Sequence, residues 1–535
     1  MIRDAATMKG EFSMKNGRIS EMSRLLALAL SFLFFHLTPC TGRVSNEAGD
    51  TTENRSSIIP KAEKSVTRHT IVIGGSSIPY TATAGTLIVR NEKDVPYASM
   101  GYIAYTNNEV SDPGRRPITF AYNGGPGTCS IYLNMGALGP RRIVTNDASF
   151  IPPPPYEVVD NEYSILDKTD LVMIDAVGTG FSHAIGEAAD KDFWSVDADI
   201  ESFARFIRLF VTENGRWNSP KYLMGESYGT TRSAGVIDYL QSYKEGMFFN
   251  GVILVSMATD LELVADEIPG YHWPTVFLLP TCTAVAWYHK VLPEMPVAIA
   301  PLLREVRAFA LGEYSHALAQ GNNLPDSTRK AVINKLHRYT GLSVDYLDKA
   351  DMHISAAQFV NELLREHRET VGILDGRFHG TNFDPLGKIA EYDPLDPATT
   401  HSFAAAFLDY LHNDLKFNLN KTYVFDADAW NTWDFRHKVG DSGIPQPMVN
   451  TGVDLAHAMG FNPNLRVLVL QGMYDLGTTF LGTEYMISQL HLHKDIRSHI
   501  QIQYYDAGHL MYLHVPSLKK FKTDIAAFFD QTTRK

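Results

Sequence analysis

Tyr222-Leu-Met-Gly-Glu-Ser-Tyr-Gly229 is the stretch on which the reading of this chain turns. A short apolar run enters G-x-S-x-G, and a helical stretch, Thr230–Gln241, leaves it. Glycines on both sides of Ser227 permit a tight strand-to-helix turn that lifts the hydroxyl clear of a sheet, the arrangement called a nucleophile elbow. A plain turn with a solvent-facing serine is the competing reading, and it asks for neither the strand before nor the helix after.

A serine hydroxyl is a weak nucleophile and needs a base that a third group orients. The surrounding sequence supplies a frame for such partners. Short apolar runs at Ile118–Tyr122, Leu171–Ile174, Tyr222–Met224, Val252–Val255, Val467–Leu470 and Ile502–Tyr505 alternate with helical stretches. That pattern predicts a mostly parallel sheet covered by helices on both faces, preceded by β-like runs at Thr70–Ile73, Thr86–Val89 and Tyr102–Tyr105. In open sheets of this kind reactive residues gather at the carboxyl ends of strands. Asp475 follows the Val467–Leu470 run. His509, in Asp506-Ala-Gly-His509, follows Ile502–Tyr505 and precedes a C-terminal helix, Leu518–Phe529. Of the 19 histidines, His509 alone combines chain order, strand end and a neighbouring glycine. The order Ser, Asp, His is that of α/β-hydrolases. Asp506 and Asp454 compete with Asp475 for the acidic place. Phe120-Ala-Tyr-Asn-Gly-Gly-Pro-Gly127 puts adjacent glycines at a strand end, where bare backbone can offer N–H donors to a reacting carbonyl.

Four blocks together resemble the serine carboxypeptidase family: Asn123-Gly-Gly-Pro-Gly127, Val177-Gly-Thr-Gly-Phe-Ser182, Gly225-Glu-Ser-Tyr-Gly229 and Ala507-Gly-His509. The resemblance spans roughly residues 65 to 530, and Thr81–Thr86 and Tyr339–Ser343 look like its bacterial branch. It implies an α/β-hydrolase core with a helical cap, release of C-terminal amino acids from peptide substrates favoured at acidic pH, and no cofactor or metal. It also implies roles: Ser227 as nucleophile, His509 as base and acid, and Asp475 as orienter. The N–H groups of Gly125 and Tyr228 would form the oxyanion hole, and Asn123 and Glu226 would hold the substrate's terminal carboxylate. Two positions depart from the family pattern. Ala121 stands where a tryptophan is usual and Ala137 where a second glutamate is usual, so part of the carboxylate network is missing. An esterase or an acyltransferase using the same triad is the alternative reading.

The remaining sequence bounds these expectations. The 535 residues, 44% apolar and 20% charged, are ordinary for a globular enzyme. A net charge of −12 disfavours binding to nucleic acid through phosphate neutralisation. The apolar run Leu25–Phe35, preceded by Arg24 and followed by small residues, is too short to span a bilayer and reads as an export signal, with translation starting at Met14 or Met22. The expected destination is periplasmic or secreted. Pro39 fits poorly before Cys40, so the expectation is export without a lipid anchor. With the signal removed, Cys129 and Cys282 remain, either bridged or as buried thiols. The expected division is a signal at 1–42, a polar linker at 43–64, hydrolase core at 65–261 and 456–535, and a mainly helical cap at 262–455. Pro152–Pro155 must form an extended surface loop. His491-Leu-His493 and Asp393-Pro-Leu-Asp396 lack a convincing metal-ligand set and are expected on the solvated surface.

Overall fold

A computed structural model describes residues 59–264, 270–440 and 444–533. The expected export signal, Cys40 and most of the expected linker lie outside these residues.

The central sheet has ten strands. Nine form its path: β1 (Lys64–Ile73), β2 (Ser76–Arg90), β3 (Pro96–Asn107), β4 (Ile118–Tyr122), β5 (Asp170–Ile174), β6 (Lys221–Glu226), β7 (Gly251–Val255), β8 (Arg466–Gly472) and β9 (Ile500–Tyr505). In space they run β1-β2-β3-β5-β4-β6-β7-β8-β9, and the short strand His183–Ala184 pairs with β3. The first three are antiparallel, and β3 meets β5 antiparallel. From β5 to β9 every pairing is parallel. The sequence accounts for this division. Residues of β4, β5, β6 and β7 are buried throughout, as strands covered on both faces must be, whereas β1 alternates exposed and part-buried positions along most of its length.

Two hydrophobic clusters lie on the two faces of the sheet. Leu223, Val252, Leu254, Val467 and Val469 point into one, with Phe203, Phe206 and Ile207 of helix α1 (Val196–Glu213) and Val236 and Ile237 of α2 (Tyr228–Gln241). Tyr222, Met224, Ile253, Val255, Leu468 and Leu470 point into the other, with Leu518, Phe521, Ile525 and Phe528 of the C-terminal helix, Val515–Thr532. The two-residue alternation is the strand pleat expressed as burial. Cys129 sits in the second cluster and Cys282 in the first, so no bridge joins them.

Between β7 and β8 the chain is mainly helical, including α3 (Trp273–Tyr288), α4 (Asp326–Thr340), α5 (Leu395–Asn413) and α6 (Gly452–Phe461). Its apolar side chains join both clusters. A short strand at His437–Lys438 belongs to this segment, and His437 ties it to the helices beneath. Its Nδ1 lies 2.7 Å from Asp197 of α1 and its Nε2 3.0 Å from Asp454 of α6. Donating from both nitrogens requires the doubly protonated ring. Burial opposes the charge, but the two carboxylates prevail and raise the His437 pKa to about 9. A raised histidine contributes stability that is complete below its unfolded value of about 6.5 and fades as pH climbs through the folded value. His437→Gln is therefore expected to cost about 2 kcal/mol at about pH 6 and nothing measurable near pH 10, read by urea unfolding of both proteins. An equal loss at both pH values would remove the charge from the explanation.

Candidate active site

Ser227 joins the end of β6 to the start of α2 with φ 58 and ψ −129, a conformation that L-residues rarely adopt. The turn is tight because Gly225 has no side chain: a Cβ there would fall 2.0 Å from the carbonyl oxygen of Gly229. The backbone after β4 comes equally close. A Cβ on Gly124 would lie 2.6 Å from the amide nitrogen of Tyr228. Two candidate donors thereby flank Ser227. Tyr228 opens α2, where an N–H has no partner within the helix, and Gly125 follows β4. Neither N–H donates to another group among the described residues.

His509 and Asp475 come from the ends of β9 and β8. His509 Nδ1 lies 2.7 Å from Asp475 Oδ2, and Asp475 is fully buried. The carboxylate is held by three further donors. Its Oδ1 accepts the N–H groups of Gly477 at 2.9 Å and Thr478 at 2.8 Å, and its Oδ2 accepts the Thr478 hydroxyl at 2.6 Å. The competing acids lie elsewhere: Asp454 is bound to His437, and Asp506 is exposed. Burial disfavours a charged His509, yet Asp475, aided by Glu226 and Asp393, outweighs it and holds the imidazole above its ordinary pKa. The base loop is gripped on both sides. The N–H of His509 donates to Leu374 O at 2.7 Å, and Ser256 Oγ donates to His509 O at 2.8 Å. The Gly508 N–H donates to Asp375 at 3.0 Å, and Arg377 bonds both Asp375 and the carbonyl of Asp506.

Ser227 and His509 line one cleft with Asn123, Gly124, Gly125 and Glu226. In its lining, Asn123 Nδ2 donates to Glu226 Oε1 at 2.5 Å, and the orientation of the amide is fixed because its oxygen accepts the Leu133 N–H at 3.0 Å. Tyr512 donates to the same Oε1 at 3.3 Å, while Oε2 is buried with no hydrogen-bond partner. Burial raises the Glu226 carboxyl to about 7. Ala121 and Ala137, the two departures noted in the sequence, are both buried. Tyr512 is the partner that reaches Glu226 here, and no motif pointed to it.

Thr478, Asp375 and Arg377 were likewise invisible in the sequence. Thr478 belongs to a local turn around Asp475, and the other two lie about 130 residues before the histidine loop they hold. The surface expectation for Asp393 and Asp396 fails. Asp393 is buried, accepting the N–H groups of Ile373, Leu374 and Leu395, and Asp396 lines the cleft.

A fold likeness exists to the Kex1 prohormone-processing carboxypeptidase of Saccharomyces cerevisiae, at 15% identity and a TM-score of 0.50, covering 84% of this chain and 91% of that one. A proline iminopeptidase from Mycobacterium smegmatis aligns at 13% identity and a TM-score of 0.35, covering 87% of this chain and 99% of that one. No curated protein matches the sequence. Among the described residues no helix is long and apolar enough to cross a membrane. Residues 81–256 match the family model for serine carboxypeptidases. That segment, about a third of the chain, carries both Asn123–Gly127 and the Ser227 elbow, so the likeness to serine carboxypeptidases rests on the stretch that holds the candidate nucleophile.

Proposed function

We propose that the protein is a serine carboxypeptidase that removes amino acids singly from peptide C-termini. Ser227 Oγ attacks the scissile carbonyl while His509 Nε2 takes its proton, and Asp475 holds the proton on Nδ1. The N–H groups of Gly125 and Tyr228 receive the developing oxyanion. His509 returns the proton to the leaving amino acid, and water then cleaves the acyl-enzyme by the same relay. No cofactor enters these steps.

The observation that carries the exopeptidase reading is Glu226. A carboxylate can be held by a carboxyl group only if one of the two bears a proton that it donates. Glu226 Oε1 already accepts from Asn123 and Tyr512, so the proton belongs on the unpartnered Oε2. Below about pH 7 Glu226 is neutral and can donate to a terminal carboxylate; above it, two like charges meet. His509 limits turnover on the acid side, because it must be neutral to take the proton, and Glu226 softens that limit. Charged Glu226 is one of the groups raising its pKa, so protonating Glu226 makes the neutral base easier to reach. Peptide turnover is therefore favoured in mild acid. We also take the chain to be exported, on the reading of Leu25–Phe35.

Incubating the purified protein with an N-terminally blocked peptide over about pH 4–8, with products followed by mass spectrometry, tests this reading. Stepwise loss from the C-terminus is expected; internal cuts or an intact peptide would overturn it. KM for the peptide should climb above about pH 7 in the wild type and stay flat in Glu226→Gln. An unchanged alkaline rise in that variant would take Glu226 out of the account.

A further inference from the structure

The loop that carries Gly125 is tied down by a carboxyl group with no part in the reaction above. Asp175 directly follows β5 and is part-buried. Its Oδ1 accepts the N–H of Ser130 at 2.8 Å, and its Oδ2 accepts the hydroxyl of Tyr423 at 2.9 Å. Ser130 closes the Gly125 loop. Its hydroxyl donates to Ile174 O at 2.5 Å and accepts the N–H of Asn123 at 3.3 Å. Tyr423 belongs to the segment inserted between β7 and β8, and its ring is wedged between those of Phe181 and Phe407. Asp175 therefore joins two stretches of chain that are far apart in sequence.

Beyond Tyr423 the inserted segment runs along the same loop. Val424 exchanges two backbone hydrogen bonds with Gly180, at 2.7 and 3.0 Å. The N–H of Cys129 donates to Phe425 O at 3.0 Å, that of Ala427 to Gly127 O at 2.8 Å, and the Thr128 hydroxyl to Asp426 at 2.9 Å. The loop has no slack to absorb a shift of these partners: Gly125 has φ 103, and a Cβ on it would lie 2.8 Å from the amide nitrogens of both Gly127 and Thr128. Room is kept for the carboxyl as well. A Cβ on Gly180 would fall 2.0 Å from Asp175 Oδ2. No lysine or arginine acts on Asp175, and burial raises its carboxyl to about 6. A carboxylate without a counter-charge is a costly way to hold a fold together, so its place at this loop asks for another reason.

We propose that Asp175 is a positioning residue: by tying Ser130 to Tyr423 it sets the Gly125 loop against the inserted segment and aims the Gly125 N–H at the oxyanion. The proposal rests on the acyl-transfer chemistry of the reading above and on the role given there to Gly125. A blocked peptide and p-nitrophenyl acetate, which has no terminal carboxylate to be recognised, are the two substrates of the test. Asp175→Leu should lower kcat about a hundredfold on both with KM within about twofold, because a misaimed donor is lost from the transition state alone. Asp175→Asn should recover most of the loss, since its amide oxygen still accepts from Ser130 and its NH2 can donate to the Tyr423 oxygen. A kcat within about threefold of wild type in Asp175→Leu, a loss confined to KM, or an Asn variant as damaged as the Leu variant overturns the proposal. If Asp175→Leu does not fold, Tyr423→Phe, which deletes the far tie alone, decides it: kcat about tenfold down at constant KM is expected, and an unchanged kcat overturns it. Should the wild type hydrolyse the ester and leave the peptide intact, the carboxypeptidase reading fails while the ester rates still judge Asp175. A wild type inert towards both overturns both.

Discussion

Asp475→Asn is expected to lower kcat by about four orders of magnitude with little change in KM. The hydrogen bonds fix how the substituted amide must sit. Asp475 Oδ1 accepts two backbone N–H groups, from Gly477 and Thr478, so the amide oxygen has to take that place. The NH2 group then faces Thr478 Oγ1 and His509 Nδ1, where Oδ2 stood. It donates to Nδ1, and the ring proton moves to Nε2. An imidazole protonated on Nε2 cannot accept the proton of Ser227. Packing is unchanged and the elbow is untouched, so the fold should survive and peptide should still bind. Steady-state kinetics against wild type, with Ser227→Ala as the floor, check the result. A loss of less than about tenfold would mean that Asp475 does not set the tautomer.

The second large effect is on stability. Arg232 of α2 is buried completely directly beyond the elbow. It donates to Asp199 Oδ2 at 2.7 Å and to the carbonyl oxygen of Asn123 at 2.8 Å. Its guanidinium lies 4.1 Å from the Phe203 ring centre, 5.1 Å from that of Tyr122 and 5.5 Å from that of Tyr228. Burial drives the Asp199 carboxyl upward and the arginine only partly restrains it. Arg232→Met therefore strands a buried acid and should cost about 3–5 kcal/mol in urea unfolding. Adding Asp199→Leu removes the stranded charge and should restore most of that loss, because an apolar pair can replace a buried ion pair at little net cost. Activity should not return with it. Both variants lose the anchor on Asn123 O, two residues before Gly125, and kcat/KM should stay about tenfold down in each. A double variant no more stable than the single one would assign the loss to packing instead of charge.

Much of this could be read from the chain itself, for identifiable reasons. Strands β4 to β8 announce themselves because a strand covered on both faces must be largely apolar, while β9, at the sheet edge, alternates isoleucine and glutamine before its two tyrosines. The elbow does so because its backbone tolerates only glycine at 225. Both are local constraints. The chain order of Ser227, Asp475 and His509 follows from strand ends, which are also local. What the sequence hides depends on distant segments meeting. Tyr512 looks like an unremarkable aromatic until it touches Glu226, which comes nearly 300 residues earlier. Asp375 and Arg377 sit in a nondescript turn and matter only because the histidine loop lands on them. Asp393 and Asp396 read as a solvated acidic stretch, since no local pattern separates an acid that caps a buried turn from one that faces water. One fills its hydrogen bonds with backbone and the other opens into a cleft.

The grip on the histidine loop has a consequence for redesign. His509 hangs from the carbonyl of Leu374, and Gly508 from Asp375, both in the segment inserted between β7 and β8. That segment is therefore no interchangeable attachment that could be trimmed away or grafted from a relative to alter substrate choice. A transplant that shifted residues 374–377 by even an ångström would move the imidazole with them. Engineering of this enzyme should leave that turn intact and confine exchanges to surfaces that do not bear on it.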